Sequence, residues 1–540
     1  MPPAAPTGPA ELAGVVRQAL ADAGLPDREP QFERPRQREH GDWATNVALT
    51  LAKPVGRPPR EIAQDIADRL VLPDDVDRVV IAGPGFINIH LSHAALEQVV
   101  AAVVHQGSAW GRATHDEVRR ANVEFVSANP TGPLHVGAGR WAAAGDAIAN
   151  LLEATGWEVH REYYLNDAGN QLELFGRSVA AVAAGDEPPE NGYRGAYITE
   201  LAQSLPPGEA QQDPSHVTEA AYRHMLERIQ ATMTAFGVDF DEWFSERTLH
   251  ESGAVEQVVH RLENGGHAYR QDGALFLRTT DFGDDKDRVL IRADGRPTYF
   301  AADCAYMASK VSRGFDLAIY LLGADHHGYV HRLLAIAQAM DLKPGTVEVI
   351  IGQLVNLYRG GEAVRMSKRT GEMVTFDELI DEVGPDAARY TFLRTSLDVT
   401  LNFDIAEVVR QDRENPVYYV QYSHARIAGI MRTATERGVT PGVVDEARLD
   451  LLTHETEEEL IRRIATFPEV VAYAAEERAP HRMARFAEEL AEAFHRFYTE
   501  CQVVGDDEEL TRARYWLCVA TRQTLVNALG LLGVSAPDRM

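Results

Sequence analysis

Cysteine is nearly absent: Cys304, Cys501 and Cys518 are the only three in 540 residues, and none forms a CxxC pair. That scarcity excludes a disulfide framework and a cysteine-built zinc site, and it points to a reducing compartment. Long apolar runs are missing as well. No eighteen consecutive apolar residues occur, which excludes a membrane-spanning helix. The opening MPPAAPTGPAELAG has neither the basic nor the apolar stretch of a secretory signal, so the expectation is a soluble, cytoplasmic protein. Positive charge is outweighed, with 53 Lys+Arg against 81 Asp+Glu and a net charge of −28. This excludes a general nucleic-acid coat, but not a shaped basic path within an acidic protein. Lysine is rarest of all among the charged residues. It stands only at 53, 286, 310, 343 and 368, against 48 arginines. A lysine here therefore marks a place that wants a compact ammonium rather than a planar fork.

What is present is organised in three parts. The first hundred residues read as a small α/β unit: ELAGVVRQALADAG and PPREIAQDIADRL have helical apolar spacing, and DRVVIAGPGFINIHLS reads as two strands around a Gly-Pro-Gly turn. HQGSAWGRATHDEVRR reads as a linker. VEFVS (123–127) then reads as a strand, the loop ANPTGPL follows, and a helix is predicted from about Gly137 to a stop at Gly156. Strand-like and helical segments alternate to about residue 400, including LAIYLLGAD and VEVIIGQLV, which predicts a parallel sheet wrapped by helices. Residues 172–285 read as a helical insertion. From about 408 strands stop; Met483, Phe486, Leu490, Phe494 and Phe497 mark one apolar helix face, and Leu517, Leu525 and Leu529 another. The last part is an all-helical bundle. The domains expected are 1–108, 118–403 and 408–540.

Two short motifs carry chemistry. His135-Val136-Gly137-Ala138 opens the helix after the first strand of the α/β region. Gly137, lacking a side chain, admits a ribose or base to the backbone, while the helix N-terminus favours phosphate. Gly137-x-Gly139-x-x-Ala142 also fits a loose dinucleotide fingerprint, but the seven-residue loop ANPTGPL stands between the strand and the His135 motif, whereas the fingerprint follows its strand immediately. GEAVRMSKRTGE (361–372) sets Lys368 in a polar loop between Arg365 and Arg369, suited to a phosphate chain whose charge grows in the transition state.

On these residues the sequence resembles the class I aminoacyl-tRNA synthetases. His135 to Ala138 resembles their HIGH signature, and Arg365-Met366-Ser367-Lys368-Arg369 their KMSKS. The match is closer to the arginyl-tRNA synthetase family and runs through nearly the whole chain: HGDWATN with GPGFINIHL, VEFVSANPTGPLHVG, REYYLNDAGNQ, DGALFLRTTDFGDDKDRVL, GADHHGYV, NPVYYVQY and the terminal LGVSAPDRM. One departure is Ala138, where the signature has its second histidine. Gly132 lies where some members carry a lysine that compensates for a missing KMSKS lysine; this chain keeps Lys368.

The resemblance implies a multidomain α/β fold with a Rossmann-like catalytic domain, a small N-terminal domain touching the tRNA elbow, and a helical anticodon-binding domain. It implies ATP-dependent activation of L-arginine and its transfer to the 3′-terminal adenosine of tRNA(Arg), with Mg²⁺ accompanying the nucleotide. By resemblance, His135, Gly137 and Lys368 are catalytic, and Asp325, His326, Met366 and Ser367 join them around ATP. Glu124, Ser127, Asn129, His135, Tyr299, Asp303 and His327 surround arginine. Tyr299 and Asp303 lie one helical turn apart, so they can share a face. Tyr418, Tyr419, Tyr422 and Arg426 contact tRNA by stacking and phosphate pairing, although Tyr418 and Tyr422 read equally as a core pair. A resident metal site and an oligomer are not expected; the reading is a monomer. The His326–His327 pair lacks the further partners a zinc site needs. A cysteinyl relative, a tRNA-binding paralogue without activity and a nicotinamide dehydrogenase are the rival readings.

Overall fold

The computed structural model describes residues 8–35, 37–113, 117–205, 214–364 and 374–540. The N-terminal unit packs helices Pro9–Asp22, Val47–Val55 and Pro59–Ala67 on a four-stranded antiparallel sheet. Its strands run Phe32–Glu33, Trp43–Thr45, Phe86–Leu91, Val76–Ala82 across the sheet. Val16, Leu20, Leu51, Ile62, Ile66 and Ile87 fill its core. In the Gly-Pro-Gly turn, Gly85 sits at φ 143°, and a Cβ there would lie 2.8 Å from the Pro59 carbonyl carbon, so glycine is required.

The middle of the chain forms a five-stranded, all-parallel sheet. Its spatial order is Val347–Gly352, Leu317–Gly323, Arg119–Glu124, Trp157–Leu165, Glu242–Ser245. The first strand in sequence is thus central, and the order reverses between it and Leu317–Gly323. Ligands of such sheets bind outside the carboxyl ends of the strands at that reversal.

Two local expectations are corrected. The first strand is Arg119–Glu124, not 123–127: Val126 and Ser127 take φ of 68° and 41°, and the Ser127 N–H bonds the Phe125 carbonyl at 2.9 Å. A tight γ-turn on a β-branched residue opposes every local preference, which is why VEFVS reads as one strand. The stretch 172–285 is not purely helical. After helices Asn170–Ala183, Ala196–Ser204 and Pro214–Ala235 it supplies Glu242–Ser245, the edge of the central sheet. It then adds two strands of a three-stranded antiparallel sheet completed by Arg288–Ile291. Strands of four residues are too short to show a period of their own.

The C-terminal part is helical: Pro416–Glu436, Glu455–Ala465, Phe467–Glu476, His481–Glu500 and Glu508–Leu531. Met483, Phe486, Leu490, Phe494 and Phe497 are buried along one face as the spacing predicts, as are Leu517, Leu525 and Leu529. The three cysteines are free and buried. Among the described residues no helix is long and apolar enough to cross a membrane.

Candidate active site

The helix Val136–Ala154 starts at the switch point of the sheet. His135 caps it: the backbone is extended, and its Nδ1 accepts the Ala138 N–H at 3.2 Å. With Nδ1 accepting, the neutral ring carries its proton on Nε2, the tautomer that donates from the far side of the ring. A Cβ on Gly137 would lie 2.9 Å from that ring, so glycine lets the imidazole fold over the first turn. The helix is held from behind by Arg140, fully buried, whose guanidinium donates to the carbonyls of Gln353, Val399 and Ser396 at 2.8–2.9 Å. Burial pulls its pKa down to about 10. His135 also forms an antiparallel bridge with Thr375, and the Phe376 N–H bonds the Leu134 carbonyl at 2.8 Å.

Asp325, His326 and His327 follow strand Leu317–Gly323 on the other side of the switch point, all three exposed. The Trp141 indole lies against the paired strand ends Gly323 and Gly352; a Cβ on Gly352 would fall within 2.1 Å of two of its ring atoms.

Beside the helix head the strand ends gather carboxylates. Glu124 is buried; its Oε1 accepts from Ser127 at 3.2 Å and its Oε2 from Lys310 Nζ at 2.7 Å. The positive-φ turn at Val126 is what folds Ser127 back onto Glu124, and Ser127 Oγ in turn accepts the Tyr164 N–H at 3.1 Å. Asp303, half-buried on helix Tyr299–Ser312, is raised to about 7 by desolvation, then by the charges of Glu246 and Glu124, against a smaller opposing pull from Arg332. Glu246 is buried and also raised, chiefly by desolvation, while Tyr164 and His250 oppose the shift. Asp167 fixes its position by accepting from Ser245 Oγ at 2.6 Å and from the Arg247 N–H at 3.2 Å. Tyr299, 56% exposed, stands on the rim with its hydroxyl beside Gly169. Asn129 donates to Gln171 at 2.6 Å.

Deeper in, Glu162 is fully buried and, against the cost of burial, is held down to about 2 by Lys310, Arg313 and Tyr306. His160, Glu162 and Glu242 present ligand-type atoms within 4.8 Å of one another. The Arg313 guanidinium donates to both carboxylates, so the cluster is a satisfied ion-pair network rather than a metal cage.

Three family descriptions match the chain in succession: an arginyl tRNA synthetase N-terminal domain over 10–91, a class I (R) tRNA synthetase catalytic domain over 98–188 and 210–418, and a DALR anticodon binding domain over 420–540. An arginine–tRNA ligase of Frankia alni is 50% identical, covering 98% of this chain and all of its own. The chain belongs to the arginyl-tRNA synthetase family. A Campylobacter jejuni structure assigned as an arginyl-tRNA synthetase superposes with TM-score 0.76 at 33% identity, covering 83% of this chain and 100% of that one. Thermus thermophilus arginyl-tRNA synthetase shares the fold at TM-score 0.79 and 24% identity, over 99% and 100% of the two chains. The chain is thus a class I aminoacyl-tRNA synthetase of the arginyl type, with a parallel-sheet catalytic domain, a small N-terminal domain and a helical DALR domain.

The structure joins Ser127 to Glu124 by a hydrogen bond, places Asp303 within electrostatic reach of Glu124, and sets His135 and Gly137 across the sheet reversal from Asp325, His326 and His327. Met366, Ser367 and Lys368 fall in 365–373, outside the described residues. Tyr418, Tyr419, Tyr422 and Arg426 lie on helix Pro416–Glu436, all half-buried. The expected alternative of a Tyr418–Tyr422 core pair is not met: both keep accessible surface and stack on each other at 6.0 Å. Arg426 donates to the Tyr422 hydroxyl at 2.6 Å. Sequence reasoning missed Glu246, Tyr164 and Lys310; only Lys310 carried a signal, as one of five lysines.

Proposed function

We propose that the chain condenses L-arginine with ATP to arginyl-adenylate and pyrophosphate, then passes the arginyl group to the 3′-terminal adenosine of tRNA(Arg). The observation that carries this is the acidic cluster at the strand ends, where desolvation raises both Asp303 and Glu246 and the charges of Glu246 and Glu124 help push Asp303 up to about 7. A guanidinium offers five donors, no acceptor and a permanent charge, and so relieves both acids at once. Citrulline, of nearly the same shape, would leave Asp303 desolvated and without a cationic partner. Tyr299 walls the rim, and Asn129 and His327 complete the arginine side.

The carboxylate of arginine then attacks the α-phosphate in line, with pyrophosphate leaving, a step that needs positioning and charge stabilisation rather than a covalent enzyme intermediate. His135 Nε2–H donates to phosphate oxygen, Gly137 admits the nucleotide to the helix head, and Asp325 and His326 flank it from the neighbouring strand end. Met366, Ser367 and Lys368 supply the leaving phosphates with donors. Mg²⁺ would be held mainly by phosphate oxygens and water, with exposed Asp325 as the carboxylate within the same crevice. On the DALR domain, Tyr418, Tyr419 and Tyr422 offer stacking faces and Arg426 a phosphate contact; the N-terminal unit reaches the tRNA elbow. A cytoplasmic monomer fits this role.

ATP–pyrophosphate exchange measured across the twenty amino acids, with and without cognate tRNA, tests the reading. Exchange should be specific for arginine and robust only when tRNA is present. Exchange with another amino acid, or none at all, sinks it.

A further inference from the structure

The turn that follows the first central strand is strained, and one buried hydroxyl holds it. Parallel pairing between Arg119–Glu124 and Trp157–Leu165 ends at the rung Glu124–Glu162. Beyond that rung Val126 and Ser127 take φ of 68° and 41°, a conformation that L side chains rarely adopt and β-branched ones least of all. Such a turn persists only where its surroundings over-determine it. Tyr163, the next residue of the neighbouring strand, does so with its side chain. Its hydroxyl donates to the Ala128 carbonyl at 3.0 Å and accepts the Ala128 N–H at 3.1 Å. Donor and acceptor of one backbone residue thus close on a single phenol oxygen, as a paired strand would otherwise satisfy them. The ring itself is fully buried, stacked on Trp243 at 4.4 Å and edge-on to Phe240 at 5.3 Å, so the oxygen has a fixed place.

We propose that Tyr163 is a positioning residue for arginine activation: its hydroxyl, by gripping Ala128, sets the flanking Ser127 and Asn129 where they meet the amino acid. The inference rests on the reading above that places these two residues at arginine. Their side-chain tips are tied elsewhere. Ser127 Oγ donates to Glu124 at 3.2 Å and accepts the Tyr164 N–H at 3.1 Å, and Asn129 donates to Gln171 at 2.6 Å. The backbone between them, just past two strained residues, is what the phenol fixes. The nucleotide end of the same loop is held separately, by the bridge of His135 to Thr375 and by the Phe376 N–H on the Leu134 carbonyl at 2.8 Å. Loss of the hydroxyl should therefore reach arginine and spare ATP.

Tyr163→Phe tests this, because it keeps the ring and removes only the oxygen, leaving the Ala128 N–H and carbonyl without their partner. In ATP–pyrophosphate exchange by the full chain with cognate tRNA present, its KM for arginine should rise about tenfold while its KM for ATP stays within about twofold. Trp243→Phe is the comparison. It trims the stack on the same ring and leaves the hydroxyl, so it should lower the melting temperature at least as much, with the arginine KM within about twofold of wild type. If Tyr163→Phe lowers only the melting temperature, moves both KM values equally, or shifts the arginine KM no more than Trp243→Phe does, the hydroxyl serves packing and the proposal is overturned. A Tyr163→Phe chain that does not fold overturns it as well, by making the oxygen a folding element. Failure of wild type to exchange with arginine would instead overturn the functional reading beneath it.

Discussion

Asp303 and Glu162 are both desolvated acids of the catalytic domain, yet they are shifted in opposite directions. Glu162 is held down to about 2, below its ordinary 4.5, so the stability it contributes is complete above about pH 4.5 and is lost as pH falls toward 2. Asp303 is raised from 3.8 to about 7, so its ionised form costs stability, increasingly so from pH 4 to 7 and in full above. Asp303→Asn keeps the volume and removes the charge. In the absence of arginine it should therefore be more stable than wild type at pH 8, by about 1–3 kcal/mol, with the gain gone at pH 4. The same variant should raise the arginine KM and lower kcat/KM by about two to four decades, because it breaks a buried pair with the substrate. Denaturant melts at the two pH values and steady-state charging check both halves. A folded variant whose arginine KM moves less than a few-fold would place the guanidinium partner elsewhere. The spacing of Tyr299 and Asp303 was legible as one helical turn, but the energetics were not. Glu246 directly follows the edge strand Glu242–Ser245, 57 residues before Asp303, and nothing local to FSER shows which carboxylate it will face. Lys310 was visible only through its rarity.

At the scale of elements, the helix Val136–Ala154 decides where chemistry is done, and its sequence reads ambiguously because 15 of its 19 residues are buried. A helix apolar nearly all round has no polar face to betray its orientation. Its glycines divide the work. A Cβ on Gly139 would lie 2.2 Å from the Phe376 ring, and one on Gly145 2.1 Å from Phe125, so these two serve close packing. The apparent dinucleotide fingerprint therefore dissolves: Gly139 receives an aromatic ring, and only Gly137 faces the helix head. Gly139→Ala and Gly145→Ala should each cost about 1–3 kcal/mol through overpacking, whereas Gly137→Ala should displace the His135 ring with little loss of stability. Thermal melts beside ATP-dependent exchange separate the two classes; a Gly137→Ala enzyme with wild-type kcat/KM for ATP would show that the ring position does not matter. Ala138 is 2% exposed and packed in the same core, so Ala138→His should lower both stability and ATP use rather than restore a missing imidazole. A gain in ATP use would reverse that expectation.

At the scale of the whole molecule, the order of domains was legible from composition and period, but the docking between them was not, because its partners lie hundreds of residues apart. Arg462 reaches Asp42 at 2.7 Å and Arg34 pairs with Glu469 at 3.0 Å, joining the N-terminal unit to the bundle. The catalytic domain meets the end of the bundle through Arg389, 1% exposed. Its guanidinium donates to the carbonyls of Leu532 at 3.0 Å, Phe236 at 3.0 Å and Gly237 at 2.8 Å, and to Asp146 on the His135 helix. A Cβ on Gly533 would lie 2.5 Å from that guanidinium, so the terminal LGVSAP turn is shaped around it. Asn150 adds a bond from the same helix to the Leu531 carbonyl at 3.3 Å. One side chain thus ties the helix under the active site to the tail of the anticodon-binding domain. Arg389→Met keeps an unbranched apolar stem but strips donors from three carbonyls and leaves Asp146 with Arg161 as its cationic partner. Each orphaned buried acceptor costs about 1–3 kcal/mol, and the carbonyls on both sides of the seam lose theirs together. The expected result is a lower apparent melting temperature and, by calorimetry, separation of the bundle from the catalytic domain into two transitions. Arg389→Lys should recover little, since one ammonium cannot reach four acceptors spread around a planar fork. A variant that melts in one transition at the wild-type temperature would mean that the apolar contacts of the bundle, and not this guanidinium, hold the two domains together.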